Sequence, residues 1–275
     1  MPATSVVVLS GKGGTAKTLW QLTMAGEASR AGMSTLLVDV DPERNLSNRF
    51  QVPQHSTGLG NVFEDAGVTM GEGNADRGAA RLVGEILATP WDGVELLPAG
   101  ASLTGIGQVA IPDTWLLRDI LTTAGVYDRY QLILLDTGGR TGSLVTLAMY
   151  AADVAYAPIA PTTDAVRKAG EAKARVDRIQ RAHQLRWAGV VLSGFDTRIG
   201  IEDAIRQKVY EEFGGEVRAE VPRRAAVNEA FQLCERLGDR GSGATSGLAE
   251  IFRGFLVRDL MQCADVSTPA MGAIR

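Results

Sequence analysis

The nine residues SGKGGTAKT at positions 10–18 constrain the fold of this chain more than any other stretch. An apolar run, 5–9, leads into them, and a stretch with helical spacing, 19–30, follows. In a strand–loop–helix unit of this kind, glycines let several backbone N–H groups converge on one anion, and the helix adds its positive N-terminal end. The sequence therefore predicts a phosphate-binding loop that opens an α/β domain.

Two lysines characterise this loop. Lys17 would reach the β- and γ-phosphates as a point charge, and the hydroxyl of Thr18 would hold Mg²⁺. Ala16 stands directly before that lysine, where the common pattern has glycine, and an additional lysine, Lys12, lies near the start of the loop. With this additional lysine, the loop resembles that of the deviant Walker A ATPases, the family that contains ParA-type partition proteins, MinD and the nitrogenase iron protein.

The resemblance implies further roles within the loop. In that family the early lysine crosses a nucleotide-sandwich dimer and touches the partner's phosphates, a role that would fall to Lys12. Leu19 replaces a hydroxyl residue that commonly contacts the α-phosphate, so only its backbone N–H would serve there. Such a neutral hydrogen bond is worth about 0.5–1.5 kcal/mol, so nucleotide binding should survive its loss. The nucleotide-binding residues predicted in the loop are Gly11, Lys12, Gly13, Gly14, Thr15, Ala16, Lys17, Thr18 and Leu19.

A second buried strand, 34–42, ends in two acidic residues. Its apolar run lacks alternation, as expected of a parallel strand covered on both faces, and ligands bind at the carboxyl ends of such strands. The segment 41–45, Asp-Pro-Glu-Arg-Asn, resembles the family's Asp-Pro-Gln-x-Asn. The resemblance assigns Asp41 to the attacking water and makes it catalytic together with Lys12 and Lys17. An acid that caps a turn is the alternative interpretation of an Asp-Pro pair.

A further buried strand, 131–136, ends in Asp136 and resembles the Walker B strand, whose aspartate assists Mg²⁺ directly or through water. The family continues Asp-x-Pro-Pro, whereas this chain has Thr-Gly-Gly-Arg at 137–140, and the glycines predict a more mobile loop. Arg140 is either a phosphate or dimer contact or a solvated loop residue. The predicted Mg²⁺ ligands are Thr18, Asp41 and Asp136.

The last strand, 217–224, runs into a Pro-Arg turn that resembles the Ile-Pro-Arg of the family. There the backbone near the proline contacts adenine, so Pro222 and Arg223 are assigned to nucleotide binding. A strand-ending proline followed by solvated arginines is the alternative.

Contact with DNA would require a local basic patch, because the formal net charge of the chain is −4. We expect that patch among Arg206, Lys208, Arg218, Arg223 and Arg224. A predicted helix over 163–184 carries another basic run, which is either a solvated face or a nucleic-acid surface. That run consists of Arg167, Lys168, Lys173, Arg175, Arg178 and Arg181.

Strands and helices alternate throughout the sequence. This alternation predicts an α/β fold with a mostly parallel central sheet covered by helices on both faces, and the resemblance makes it a P-loop NTPase of the deviant Walker A type. We expect residues 1–275 to form a single ATPase domain without an N-terminal helix-turn-helix domain. The apolar stripe of the C-terminal helix, 248–261, favours core packing over the membrane anchoring known in MinD relatives.

The leading hypothesis is a ParA-type ATPase for plasmid or chromosome segregation. It would bind ATP and Mg²⁺, dimerise on ATP, bind nonspecific DNA, and hydrolyse ATP slowly until a ParB-like centromere-binding partner stimulates it. The alternative is a MinD-like positioning ATPase that acts on a membrane or a protein cargo. A third hypothesis, a binding module that holds ATP without hydrolysing it, is kept because of Leu19 and the glycines at 138 and 139. The two cysteines lie far apart and outside any C-x-x-C pattern, which argues against a zinc or iron–sulfur site. The resemblance argues against a redox member like the nitrogenase iron protein, because the cysteine pair after the Walker B strand is missing. No membrane partner is expected, and the location would be cytoplasmic and nucleoid-associated.

Overall fold

The computed structural model describes residues 3–10, 16–139, 142–241 and 243–262. Eight strands in this part of the chain form one sheet. They are β1 (Thr4–Val8), β2 (Thr35–Val40), β3 (Leu87–Ala88), β4 (Val94–Leu97), β5 (Leu132–Thr137), β6 (Val154–Ile159), β7 (Arg186–Phe195) and β8 (Val217–Pro222). Their order across the sheet is β3-β4-β2-β5-β1-β6-β7-β8.

Helices cover both faces of the sheet. They are α1 (Lys17–Arg30), α2 (Asn45–Arg49), α3 (Leu59–Asp65), α4 (Ala75–Leu82), α5 (Leu103–Ile106), α6 (Leu116–Thr123), α7 (Val126–Arg129), α8 (Ser143–Ala151), α9 (Ala165–Ile179), α10 (Gly200–Phe213), α11 (Ala225–Leu233) and α12 (Gly243–Gly254). Shorter 3₁₀ segments lie at Val68–Met70, Val83–Glu85, Gly214–Glu216 and Leu237–Arg240, and a π-helical turn, Phe255–Leu260, follows α12. In the described part of the chain, none of the helices has the length and apolarity needed to span a bilayer.

All strand pairs are parallel except β3 with β4, which are antiparallel. The predicted fold class is therefore confirmed. Two predicted helices differ from the structure. The sequence also has helical spacing over 79–88, which predicts a helix there, but α4 stops at Leu82 because the chain turns back and pairs Leu87 and Ala88 with β4. The helix predicted over 163–184 stops at Ile179, since the next turn buries His183, whose Nε2 donates to the carbonyl of Ala152.

Two apolar layers hold the helices against the sheet. Trp20 of α1 is fully buried at the centre of one layer, where its ring lies 4.4 Å from that of Phe252 and 5.6 Å from that of Phe255. Tyr156 of β6 completes this aromatic group at 6.4 Å. The C-terminal helical segment is thus part of the core, as the sequence predicts.

The strand order places the functional candidates at one edge of the sheet. Strands β2, β5 and β1 are neighbours, and their register sets Asp39 beside Asp136. The loops that follow these three strands therefore meet at the carboxyl edge, which is where open α/β sheets bind ligands.

Candidate nucleotide-binding site

The start of α1 meets the end of β5 at this edge. The hydroxyl of Thr18 donates to Oδ2 of Asp136 over 2.6 Å. The other carboxylate oxygen, Oδ1, is buried and has no hydrogen-bond partner among the described residues. Because a buried carboxylate oxygen without a partner is costly, this atom suits a ligand that supplies positive charge. Hydroxyl and carboxylate oxygens are ligands of the kind that Mg²⁺ binds. Only one or two carboxylates are needed when phosphates and water complete the coordination shell.

Lys17 lies beside Thr18 and Asp136, away from solvent. Its side chain is buried, and Nζ donates to Oγ of Ser10 over 2.8 Å. Burial lowers the pKa of Lys17, although the carboxylates of Asp136 and Asp41 oppose the shift. Burial raises the pKa of Asp136, and the charge of Asp39 raises it further. A phosphate at Lys17 and a cation at Asp136 would each favour the charged form of the group it touches, so the residues present fit a Mg²⁺–nucleotide.

Asp41 begins the turn after β2 and is almost fully buried. Its Oδ1 accepts the backbone N–H of Glu43 at 3.0 Å, which is the turn contact that the alternative interpretation predicts. Its Oδ2 accepts the side-chain amide of Asn45 at 2.6 Å. The carboxylate also lies against the loop after β5, because a Cβ added to Gly138 would stand 2.7 Å from Oδ1. The glycine at 138 therefore lets this loop approach Asp41.

A buried network behind Asp41 was missed by the sequence reasoning. Oδ2 of Asp39 accepts both the N–H and the hydroxyl of Ser47, at 2.7 and 2.6 Å, and Oδ1 accepts the N–H of Asp41 at 3.1 Å. The Ser47 hydroxyl oxygen in turn accepts the N–H of Ala99. Burial raises the pKa of Asp39 to about 7, against the hydrogen bonds from Ser47. The network fixes the backbone that carries Asp41. The sequence feature that could have indicated it is the pair of acids, Asp39 and Asp41, at the end of this strand.

Two departures of the loop from the common pattern have visible structural counterparts. Ala16 adopts a left-handed conformation with φ of 64°, which glycine reaches without strain, and this explains why glycine is usual there. Leu19 is buried in the apolar layer around Trp20. This packing agrees with the expectation that only the backbone N–H of Leu19 would contact the α-phosphate of a nucleotide.

Pro222 ends β8 at the same edge of the sheet. Strand β8 lies three strands from β1, or about 14 Å at the usual strand spacing. The backbone N–H of Arg223 donates to the carbonyl of Phe195, and its guanidinium donates to the carboxylate of Glu202 at 2.6 Å. The turn is therefore tied to the end of β7, while the adenine contact stays a prediction.

The five residues predicted to contact DNA are largely engaged within the chain. Arg206 pairs with Glu220 at 2.7 Å, in addition to the pair that Arg223 forms. Arg218 donates to the carbonyl of Ala188, and Arg224 to that of Arg223. Lys208 is exposed, but two glutamates follow it closely in the sequence. The DNA contact of these residues stays a prediction, and the structure does not gather them into a free basic patch.

Several predicted residues lie outside the described part of the chain. They are Gly11, Lys12, Gly13, Gly14, Thr15 and Arg140. Within the described ranges, no group of three or more His, Cys, Asp or Glu side chains forms a metal cluster. The structure does bring together Lys17, Thr18 and Asp136, and it sets Asp41 against Gly138 beside them.

Comparison with known proteins matches most of the chain to one family. The family model described as the CobQ/CobB/MinD/ParA nucleotide binding domain matches residues 6–233. The chain is 28% identical over 238 residues to the chromosome partitioning protein ParA of Caulobacter vibrioides (strain NA1000 / CB15N), a match that covers 83% of this chain and 84% of that protein.

Solved structures of low sequence identity have a similar fold. The septum site-determining protein MinD of Pyrococcus horikoshii OT3, solved with Mg-ADP, has a TM-score of 0.73 at 18% identity and covers 96% of this chain and 100% of its own. A variant of McdA from Cyanothece, solved in complex with ATP, has a TM-score of 0.72 at 15% identity, with coverages of 97% and 99%. These likenesses agree with the predicted fold class.

Proposed function

Because the chain belongs to the CobQ/CobB/MinD/ParA nucleotide-binding family, we propose that it is an ATPase that binds ATP with Mg²⁺ at the edge formed by β1, β2 and β5. The hydrogen bond between Thr18 and Asp136, with the second carboxylate oxygen left buried and unpartnered among the described residues, carries this proposal. Thr18 and Asp136 would hold the ion, and Lys17 would bind the β- and γ-phosphates. Two of the solved relatives contain Mg-ADP and ATP, which supports this choice of ligand.

In the hydrolysis step Asp41 would orient the attacking water. Its carboxylate is held from two sides, by the N–H of Glu43 and the amide of Asn45, so its position is fixed before the nucleotide arrives. Bound Mg²⁺ would neutralise charge on the phosphates, which is the main requirement of phosphoryl transfer. Lys17 would stabilise the same charge from the loop, and Lys12 would do so in the partner's site.

We further propose that the protein works as a ParA-type partition ATPase, with residues 1–275 acting as one domain. ATP would hold two copies face to face, and the dimer would bind DNA without sequence preference until hydrolysis, stimulated by a ParB-like partner, releases it. The likeness to the ParA of C. vibrioides over 83% of the chain supports this choice. Contacts of arginine and lysine with phosphates carry no sequence information, so binding should be nonspecific and weaken steeply with salt.

A MinD-like positioning ATPase is the second candidate, favoured by the structural likeness to MinD. Membrane anchoring through the C-terminal helical segment is disfavoured, since Phe252, Phe255 and Leu256 are buried against α1 and the sheet. A positioning role would therefore act on a protein cargo.

The test is light scattering with and without ATP·Mg²⁺ on wild type and Asp41→Ala, followed by DNA binding and ATP turnover on the same samples. We expect ATP to produce a dimer, Asp41→Ala to accumulate it, and the accumulated dimer to bind DNA. A dimer that ignores DNA would move the function to the positioning class. Nucleotide binding without turnover in the wild type, with or without DNA, would instead indicate a module that only holds ATP.

A further inference from the structure

We propose that the protein contacts DNA through the C-terminal half of α9 and the turn after it, where Arg175, Arg178 and Arg181 form a basic strip. This inference rests on the proposed function, because it names the surface that would carry its DNA binding. We call these three residues the α9 strip.

The α9 strip differs from the other basic residues of the same helix in its charge partners. Arg167 pairs with Glu171, Lys168 with Asp164, and Lys173 with Glu216. The three arginines of the strip have no ion pair with any carboxylate in the described ranges of the chain. A partner's phosphates could therefore reach them without breaking an internal salt bridge, unlike Arg206 and Arg223 of the predicted patch.

The spacing of the strip suits a row of phosphates. Arg175 and Arg178 are three residues apart on α9, so they lie on one side of the helix about 4.5 Å apart along its axis, and Arg181 follows in the turn after Ile179. Arg178 and Arg181 are exposed, whereas Arg175 is half-buried. Burial lowers the pKa of Arg175, and the charge of Arg178 lowers it further, while the carboxylate of Glu171 opposes the shift. An external anion would relieve the repulsion between these two guanidinium groups.

The position of the strip at the end of a helix offers a purely structural explanation for part of it. Basic residues in a last turn complement the negative end of the helix, and Arg178 meets that description. This effect fades beyond the final turn of the helix, so it does not account for three arginines that all lack a salt bridge within the described ranges.

The surroundings favour DNA over a lipid surface. A helix that binds at a membrane interface also inserts large apolar side chains. None of the large apolar residues that the described chain exposes belongs to α9: they are Met70, Val83, Leu87, Trp115, Ile199, Ile201 and Leu233. The three guanidinium groups match the phosphate backbone, which arginine binds with bidentate geometry, although the exposed Asp177 lies beside Arg178 in the sequence.

The test compares Arg178→Ala/Arg181→Ala with wild type, using the full chain with ATP·Mg²⁺ and a long duplex of mixed sequence across a salt series. We expect DNA affinity to fall by about tenfold or more at low salt, and the slope of log K against log salt to decrease by about 0.9 for each phosphate that is no longer bound. Arg178→Lys/Arg181→Lys should retain most of the affinity because it keeps both charges. ATP-dependent dimerisation and the melting temperature should stay at wild-type values, which separates a local effect on DNA binding from unfolding.

Two matched controls define the surface. Arg167→Ala lies on the same helix but removes an arginine that is already paired, so we expect little change in DNA binding. Arg206→Ala/Arg218→Ala removes two arginines of the predicted patch that are engaged within the chain, and we expect a smaller loss than for the α9 strip.

The outcomes separate this inference from the proposed function. Wild type that binds DNA while Arg178→Ala/Arg181→Ala binds it equally well, with the same salt slope, overturns the α9 strip alone. Wild type that binds no DNA with ATP overturns the DNA part of the proposed function and the strip with it. Binding to vesicles of anionic lipid that requires Arg178 and Arg181, in place of DNA binding, would also overturn the inference.

Discussion

The hydrogen bond from Asn45 to Asp41 is the contact on which the proposed water-orienting role depends most. At 2.6 Å it is short, and hydrogen bonds to charged groups contribute about 1.5–3 kcal/mol. Asn45→Asp keeps the size of the side chain but replaces the donor with a second negative charge. Since about 1.36 kcal/mol corresponds to a factor of ten in rate, we expect the rate of ATP hydrolysis to fall at least tenfold.

Nucleotide affinity should change little in Asn45→Asp, because Asn45 has no hydrogen bond with Lys17, Thr18 or Asp136 in the described residues. Asn48→Asp is the matched control: it lies on the same short helix, and its side-chain amide donates only to the backbone carbonyl of Glu43, at 3.4 Å. Single-turnover hydrolysis and nucleotide binding would be measured for both variants. Equal rates in the two variants would remove Asn45 from the mechanism.

Sequence patterns predicted the site residues that lie at the start of a helix or at the end of a strand. Thr18 lies in the first turn of α1 and Asp136 near the end of β5, so the parallel pairing of β1 with β5 brings them together. Asn45 begins the short helix α2 after Arg44, which takes a left-handed conformation with φ of 59°, and no pattern indicates where the amide of Asn45 lies. The partner of Asp39 was missed for the same reason, because Ser47 is eight residues away along a bent chain.

At the scale of whole elements, the apolar runs predicted the parallel strands. A short strand that forms only by pairing with a neighbouring strand was not predicted. Strand β3 has only two residues and exists because it pairs with β4. The basic residues of the predicted patch were visible in the sequence, but their acidic partners on neighbouring elements were not. Arg206 and Glu220 are fourteen residues apart and meet only when α10 packs beside β8.

A buried carboxylate, that of Glu27, lies where α1 packs against the 3₁₀ segment Leu237–Arg240, and its ionisation destabilises the fold. Glu27 is 2% exposed, and its Oε2 lies 3.4 Å from Arg30. Burial raises the pKa of Glu27 despite the opposing charge of Arg30. Because the folded pKa lies above the unfolded one, the contribution of Glu27 to the free energy of unfolding is full below about pH 4 and declines as the pH rises through the folded pKa.

Glu27→Gln removes this titration, so its free energy of unfolding should rise relative to wild type as the pH increases from about 4 to about 8. Urea unfolding at several pH values measures the difference. Glu211→Gln, at an exposed glutamate on α10, is the matched control for the removal of one surface carboxylate. A constant offset between Glu27→Gln and wild type at all pH values would contradict the prediction.

In the molecule as a whole, the two ends of the described chain share one core. Helix α1, which carries the proposed phosphate contacts, packs through Trp20 on Phe252 and Phe255 near the C-terminal end. The site at the sheet edge therefore depends on a helical segment that contributes no residue to it. A membrane assay on a chain lacking residues 247–275 would remove this core and report unfolding in place of anchoring.

Phe252→Ala tests this dependence without truncation. The side chain is fully buried, and deletion of a buried phenylalanine side chain costs about 3–5 kcal/mol. We expect a loss of that size in urea unfolding, with nucleotide binding lost at the same denaturant concentration as helical circular dichroism, because α1 cannot hold the loop once its support opens. Leu233→Ala is the control, since that leucine is 61% exposed and its removal should cost little. If nucleotide binding persisted after the C-terminal segment had unfolded, α1 would be stable on the sheet alone, and the core would be two independent halves.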